Sequence, residues 1–121
     1  MMNRYLVISS SVDLVRVAPG DLVFVSSDGN YCTLVFTYGE SRVVTLQLGQ
    51  IEQLIERQLP PDDNSFIRIG KSLIINRTYI SYVNPGKQQL SLADGRSASH
   101  TLTASREALR QLKELIEKEG L

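Results

Sequence analysis

Two side chains in this 121-residue sequence could serve catalysis, Cys32 as a nucleophile and, separately, His100 as the histidine of a Ser-His-Asp unit. His100 is the only histidine, which excludes a metal centre built from several imidazoles and leaves any Ser-His-Asp unit resting on one residue. It sits in the strand-like run Ser97-Ala98-Ser99-His100-Thr101, so the expectation is a histidine on a strand face. Cys32 alternates with Leu34 and Phe36, the spacing of one apolar strand face, and is expected to be buried as a small hydrophobe. As the only cysteine it can form neither an internal disulfide nor a cysteine metal cluster. Gly29, Gly39 and Gly49 stand singly, with no Gly-x-Gly-x-x-Gly and no lysine-bearing phosphate loop. Hence no catalytic residue, cofactor or metal ligand is assigned, and the chain is read as a non-enzyme.

The cations are more informative. Thirteen Lys and Arg balance thirteen Asp and Glu, and an overall neutral chain counts mildly against nucleic-acid binding. The distribution is uneven. Residues 1–65 carry four basic groups against eight acidic ones, a net −4. Residues 66–110 carry seven (Arg68, Lys71, Arg77, Lys87, Arg96, Arg106, Arg110) against two (Asp94, Glu107), a net +5, and the last eleven residues return −1. Within the basic segment, Phe66-Ile67-Arg68-Ile69 leads into a polar Gly70-Lys71-Ser72 break. Leu73-Ile74-Ile75 is then stopped by Asn76-Arg77. The pattern predicts a strand, an exposed basic loop and a short buried turn, with Asn76 bonding its own backbone.

The run Phe66-Ile67-Arg68-Ile69-Gly70-Lys71-Ser72-Leu73-Ile74-Ile75-Asn76, with Ile80 shortly after, closely resembles the hallmark of the LytTR family of transcription regulators, Phe-x-Arg-x-His-(basic or polar)-Ser-x-x-Val-Asn. Val23-Phe24-Val25-Ser26-Ser27-Asp28-Gly29-Asn30-Tyr31 resembles that family's early strand and Asn-Tyr loop. Leu102-Thr103-Ala104-Ser105-Arg106 resembles its late strand ending in Ser-Arg. All three occur in order and spacing, over about residues 12–116. Two departures stand out: Gly70 replaces the usual histidine, and no acidic residue follows the early strand in Val25-Ser26-Ser27.

The resemblance implies an elongated β structure that lays loops, rather than a recognition helix, into successive major grooves. The positions that contact DNA in such domains match Tyr31, with Asn30 beside it, Lys71 and Arg106. Ser72 and Ser105 adjoin the two cations and are counted with them, and Arg68, Arg77 and Arg110 are candidates for phosphate contact. These residue types suit the task. Arg can fork onto guanine O6 and N7, Lys supplies a mobile point charge, and Asn or Tyr can donate to base edges or phosphates. Arg106 also opens a helix, where the helix dipole disfavours a cation, which suggests an external anion.

The elements that must position these residues follow from short runs rich in Val, Ile, Leu, Tyr and Thr, punctuated by Gly, Pro, Asn and Asp. Strands are predicted over Tyr5 to Ser9, Asp13 to Val17, Leu22 to Val25, Tyr31 to Tyr38, Arg42 to Leu46, Phe66 to Ile69, Ile80 to Asn84, Gln89 to Leu92 and Ser97 to Leu102. Helical spacing appears twice. Leu48, Ile51, Leu54, Ile55 and Leu59 share a face that ends at Pro60-Pro61. Ala104, Ala108, Leu109, Leu112, Leu115 and Ile116 share another, with Ser105 as N-cap and Gly120 past the end. The fold class is therefore mostly β, a multi-stranded sheet or sandwich with two short amphipathic helices, and 1–121 is read as one domain. Without a signal peptide or membrane span, the expected location is the cytoplasm. The expected partners are double-stranded DNA, a second copy on an adjacent half-site, and a separate sensor or receiver protein, with no membrane. The alternative, which the neutral net charge and Gly70 favour, is a non-catalytic protein-binding or adaptor domain of the same fold that has lost DNA recognition.

Overall fold

The structure is a computed structural model and describes residues 5–96 and 99–119. A first hairpin pairs β1 (Leu6–Ser9) with β2 (Leu14–Val17). Five strands then form an antiparallel sheet: β3 (Leu22–Asp28), β4 (Tyr31–Phe36), β5 (Ser41–Val44), β6 (Phe66–Ile69) and β7 (Leu73–Asn76). Their order is β5-β4-β3-β7-β6, with α1 (Leu48–Gln58) linking β5 to β6. A three-stranded sheet, β10-β9-β8, follows from β8 (Ile80–Asn84), β9 (Gln89–Ala93) and β10 (Ser99–Thr103), and α2 (Arg106–Lys118) ends the chain's described structure.

The five-stranded sheet is covered on both faces, and the period-two alternation of its strands sorts their side chains into two cores. Val25, Cys32, Leu34, Phe36, Val44 and Ile74 meet α1 through Leu48, Ile51 and Ile55, together with Leu6, Ile8, Val15 and Val17 of the first hairpin. Val23, Phe24, Ile69, Leu73 and Ile75 meet Leu90 and Leu92 of the three-stranded sheet and Leu109 and Leu112 of α2. The two helices thus lie on opposite faces. Gln58 fastens the first hairpin to α1: its side-chain amide accepts from Val7 N and donates to Val7 O, both at 2.8 Å, as a neighbouring strand would.

Cys32 lies on its predicted face, fully buried. Burial pushes its thiol pKa up, against smaller lowering effects from a hydrogen bond with Ser27 and the charge of Arg68. Ser105 caps α2 as predicted, its Oγ accepting from Ala108 N at 3.1 Å. Asn76 is 2 % exposed and its side chain works in both directions. Oδ1 accepts from Thr78 N at 3.1 Å, and Nδ2 donates to Leu22 O at 3.0 Å and Pro19 O at 3.3 Å.

Several expectations change, among them the end of β5, at Val44 rather than Leu46. Leu73-Ile74-Ile75 is not a buried turn but the heart of β7, buried at every position and paired with both β3 and β6. A strand covered on both faces loses apolar-polar alternation and reads as a plain apolar run. Strand β3 continues past Val25 to Asp28, because Ser26, Ser27 and Asp28 pair with Thr33, Cys32 and Tyr31 in a hairpin arm that runs beyond most of the core. Strand β4 ends at Phe36 rather than Tyr38, since Thr37 turns to bond Asp21 through its backbone N–H (2.9 Å) and its hydroxyl (2.7 Å). Leu115 remains 38 % exposed beside the β6 edge instead of joining the core. The predicted starts of the last strand (Ser97, Ala98) and the helix-ending Gly120 lie outside the described residues.

Candidate nucleic-acid interface

Three connections carrying sequence candidates converge at one end of the five-stranded sheet. The β3–β4 hairpin closes in two residues, Gly29 and Asn30, between the paired Asp28 and Tyr31. Gly29 has φ +74°, the left-handed region that glycine enters at no steric cost and that a two-residue hairpin turn needs. Asn30 is exposed, and Tyr31 is 42 % exposed.

Next to this hairpin lies the β6–β7 turn, Gly70-Lys71-Ser72, between the paired Ile69 and Leu73. Ser27 N donates to Ser72 O at 2.8 Å, which fixes the second turn against the first arm. Gly70 has φ +60°, a conformation that disfavours side chains with a Cβ. The residue in place of the family's usual histidine therefore matches the backbone of this turn. Lys71 and Ser72 both face solvent.

The third connection is the junction of β10 with α2. An open groove of about 380 Å³, lined by Ile69, Gly70, Lys71, Ser72, Ala104, Ser105 and Ala108, separates it from the β6–β7 turn. Arg106 is the first residue of α2 and is exposed. Neither Lys71 nor Arg106 forms an ion pair among the described residues. The acidic side chains on these connections are Asp28, exposed at the hairpin tip, and Glu107, which is engaged by Arg110 and Gln111.

The other three arginine candidates are engaged within the chain, Arg110 with Glu107 on α2 at 2.5 Å. Arg68 points its guanidinium at Glu52 of α1 (2.7 Å), while its Nε–H donates to Gly70 O at 3.1 Å. Its charge is engaged internally and its other contact braces the turn that carries Lys71. Arg77 sits at the far end of β7, paired with Glu119 and donating to Asn64 O at 3.3 Å. Since Glu119 follows α2 and Arg106 begins it, about 20 Å of helix separates the two arginines. The structure brings together Asn30, Tyr31, Lys71, Ser72, Ser105 and Arg106; Arg68 adjoins them and Arg77 does not.

A fourth loop, the β8–β9 turn Pro85-Gly86-Lys87-Gln88, borders the same end and was not singled out as a site from sequence. Ala104 N donates to Gln88 O at 3.3 Å and Gln88 Nε2 to Ala104 O at 3.4 Å, clipping the turn to the residue before Ser105. The only sequence signal was the Asn-Pro-Gly-Lys turn itself, since pairing with Ala104 is a long-range contact.

Cys32 and His100 belong to different cores. The His100 ring packs edge-on against Phe24, with centroids 5.4 Å apart, and its Nε2 lies 3.5 Å from Asp94 Oδ2. Cys32 lies in the core on the α1 face of the central sheet. Among the described residues no group of three or more His, Cys, Asp or Glu could hold a metal, and no helix is long and apolar enough to cross a membrane.

Comparison with known proteins agrees with this architecture. A search of curated proteins returns no match. Among solved structures, the LytTr DNA-binding domain of a protein from Bacillus cereus described as a methyl-accepting/DNA response regulator superposes with a TM-score of 0.63 at 17% identity, covering 93% of this chain and 96% of that one. That likeness shows the fold. The family model of the LytTr DNA-binding domain matches residues 13–117, spanning the central sheet, the three-stranded sheet and both helices, and so the chain belongs to the LytTr family of DNA-binding domains.

Proposed function

We propose that residues 1–121 act as one non-catalytic, transcription-regulating domain that binds duplex DNA sequence-selectively in the cytoplasm, with its loop row inserted in the major groove. The observation that carries the reading is the convergence of Asn30–Tyr31, Lys71–Ser72 and Ser105–Arg106, with two cations that have no ion-pair partner among the described residues. Neutral net charge is no obstacle, because the charge that meets DNA is local and the acidic residues concentrate in residues 1–65. Arg106 is best suited to base reading, since its fork can take both acceptors of a guanine, and Lys71 to phosphate or guanine as a mobile charge. Asn30, Tyr31, Ser72 and Ser105 supply neutral donors and acceptors beside them. Arg68 acts through Gly70, holding the Lys71 turn in place, and Arg77 has its phosphate role only if DNA reaches the far end of β7.

A fluorescence titration of the chain against promoter fragments and mixed-sequence duplex, at several salt concentrations, tests the reading. The expected result is binding that weakens steeply with salt and a clear preference for one fragment. Salt-insensitive or absent binding would instead support the adaptor alternative.

A further inference from the structure

Lys87 is one of the seven cations of the basic segment, and its exposed side chain has no ion-pair partner among the described residues. The loop that carries it is held at several points. Lys87 N donates to Asn84 Oδ1 at 3.0 Å, Asn84 Nδ2 donates to Tyr82 Oη at 2.8 Å, and Gln88 N donates to Pro85 O at 3.1 Å. Gln88, at φ +56°, is the only non-glycine residue of positive φ among the described residues, and its two bonds to Ala104 hold it there. A non-glycine residue is disfavoured in this region, so the turn's shape is imposed by its neighbours rather than by local preference. The effect is to fix Lys87 next to the start of α2.

The row of loops has a definite order. Strands lie about 4.8 Å apart, so β4 and β7 place the first two connections within about 10 Å, and a packed layer adds about 10 Å more to the α2 junction. A row of about 20 Å exceeds the major groove's width of about 12 Å. With the β8–β9 turn clipped to Ala104, beyond the open groove that faces Lys71, Arg106 belongs to the interior of the row, which can enter the major groove, and Lys87 to its end, which meets the phosphates that border it. We infer that Lys87 binds a backbone phosphate at the edge of the groove entered by Arg106, making the β8–β9 turn a fourth DNA contact. This rests on the DNA-binding reading above. Because phosphate is the ligand, the contact adds affinity without sequence preference.

The test uses the full chain and a labelled mixed-sequence duplex of about three helical turns, about 30 base pairs. Binding is measured by fluorescence anisotropy from about 50 to 200 mM salt for the wild type, Lys87→Ala, Lys87→Glu and Lys87→Arg. Lys118→Ala, at the far end of α2, serves as control. Loss of one phosphate contact lowers the slope of log K on log salt by about 0.9, so Lys87→Ala should lose about a threefold part of the wild type's change in Kd over that range. Lys87→Glu should lose more, Lys87→Arg should restore the wild-type slope, and the control should match it. Equal slopes for wild type and Lys87→Ala would overturn the inference while leaving DNA binding intact. A wild type without salt-dependent binding would overturn both.

Discussion

Arg106 and Lys71 share an interface but differ in what their loss should remove. Arg106→Ala is expected to cost on the order of 1 to 3 kcal/mol on a preferred sequence and little on mixed DNA, because a bidentate base contact is what it forfeits. Lys71→Ala should weaken both and lower the salt slope by about one. Parallel titrations of the two duplexes separate these outcomes, and unchanged affinity in both folded variants would sink the DNA reading. Asn76 lies within the family hallmark yet belongs to the interior: Asn76→Ala leaves the carbonyl of buried Leu22 without its donor. The expected loss is about 1 to 3 kcal/mol in chemical denaturation, with DNA affinity of the folded protein unchanged. Cys32 gives a pH signature. Its thiol pKa is raised in the folded state, so the folded chain keeps a proton that the unfolded chain releases first. The stabilisation is therefore complete below the ordinary thiol range, about pH 8.5, and is lost as pH rises from there through the folded pKa. Denaturation of wild type and Cys32→Ala from neutral to alkaline pH should show the wild type falling more steeply; parallel curves would contradict it.

Among the elements, α2 does two jobs from one terminus. Ser105 accepts from Ala108 N and so fixes where the helix begins, which in turn sets the direction of Arg106. Ser105→Ala should cost about 1 kcal/mol of stability, and DNA affinity should drop along with it, whereas Ser105→Asp should restore the cap while its charge still weakens binding. Melting curves paired with titrations resolve the two effects. This cap was legible in the sequence because it is a local signal, a serine ahead of an apolar face of helical spacing. The strand of Cys32, Leu34 and Phe36 was legible for the same reason, since one side of β4 meets a core and the other is only half-buried. Strand β7 was not recognised, because its neighbours on both faces lie far away in the chain and erase the alternation that marks a strand. The polar end of β3 was missed for the converse reason: Ser26, Ser27 and Asp28 are strand by pairing and carry no apolar signal.

At the scale of the whole molecule, the three registered motifs identified which residues to examine, but only the sheet order shows that two of them are neighbours through β3 and β7, and only packing brings in α2. Periodicity carries no information on such adjacency, so the sequence neither marks the β8–β9 turn nor separates Arg77, at the far end of β7, from the cations of the loop row. The same geometry limits what one copy can do. A single row of loops at one groove touches few base pairs, and so short a contact discriminates poorly among the many competing genomic sites. Two copies on repeated half-sites overcome this, provided their centres are separated by whole helical turns of about 10 base pairs, so that both meet the same face of the duplex. The sequence contains no zipper heptads, and α2, at thirteen residues, is too short for a coiled coil. Free chains should therefore sediment as monomers at micromolar concentration and cooperate on DNA. Inserting about 5 base pairs between half-sites turns one copy to the opposite face and should abolish cooperativity, while inserting about 10 should restore it in part. Equal binding at every spacing, or one copy saturating a natural site, would show that the domain acts alone.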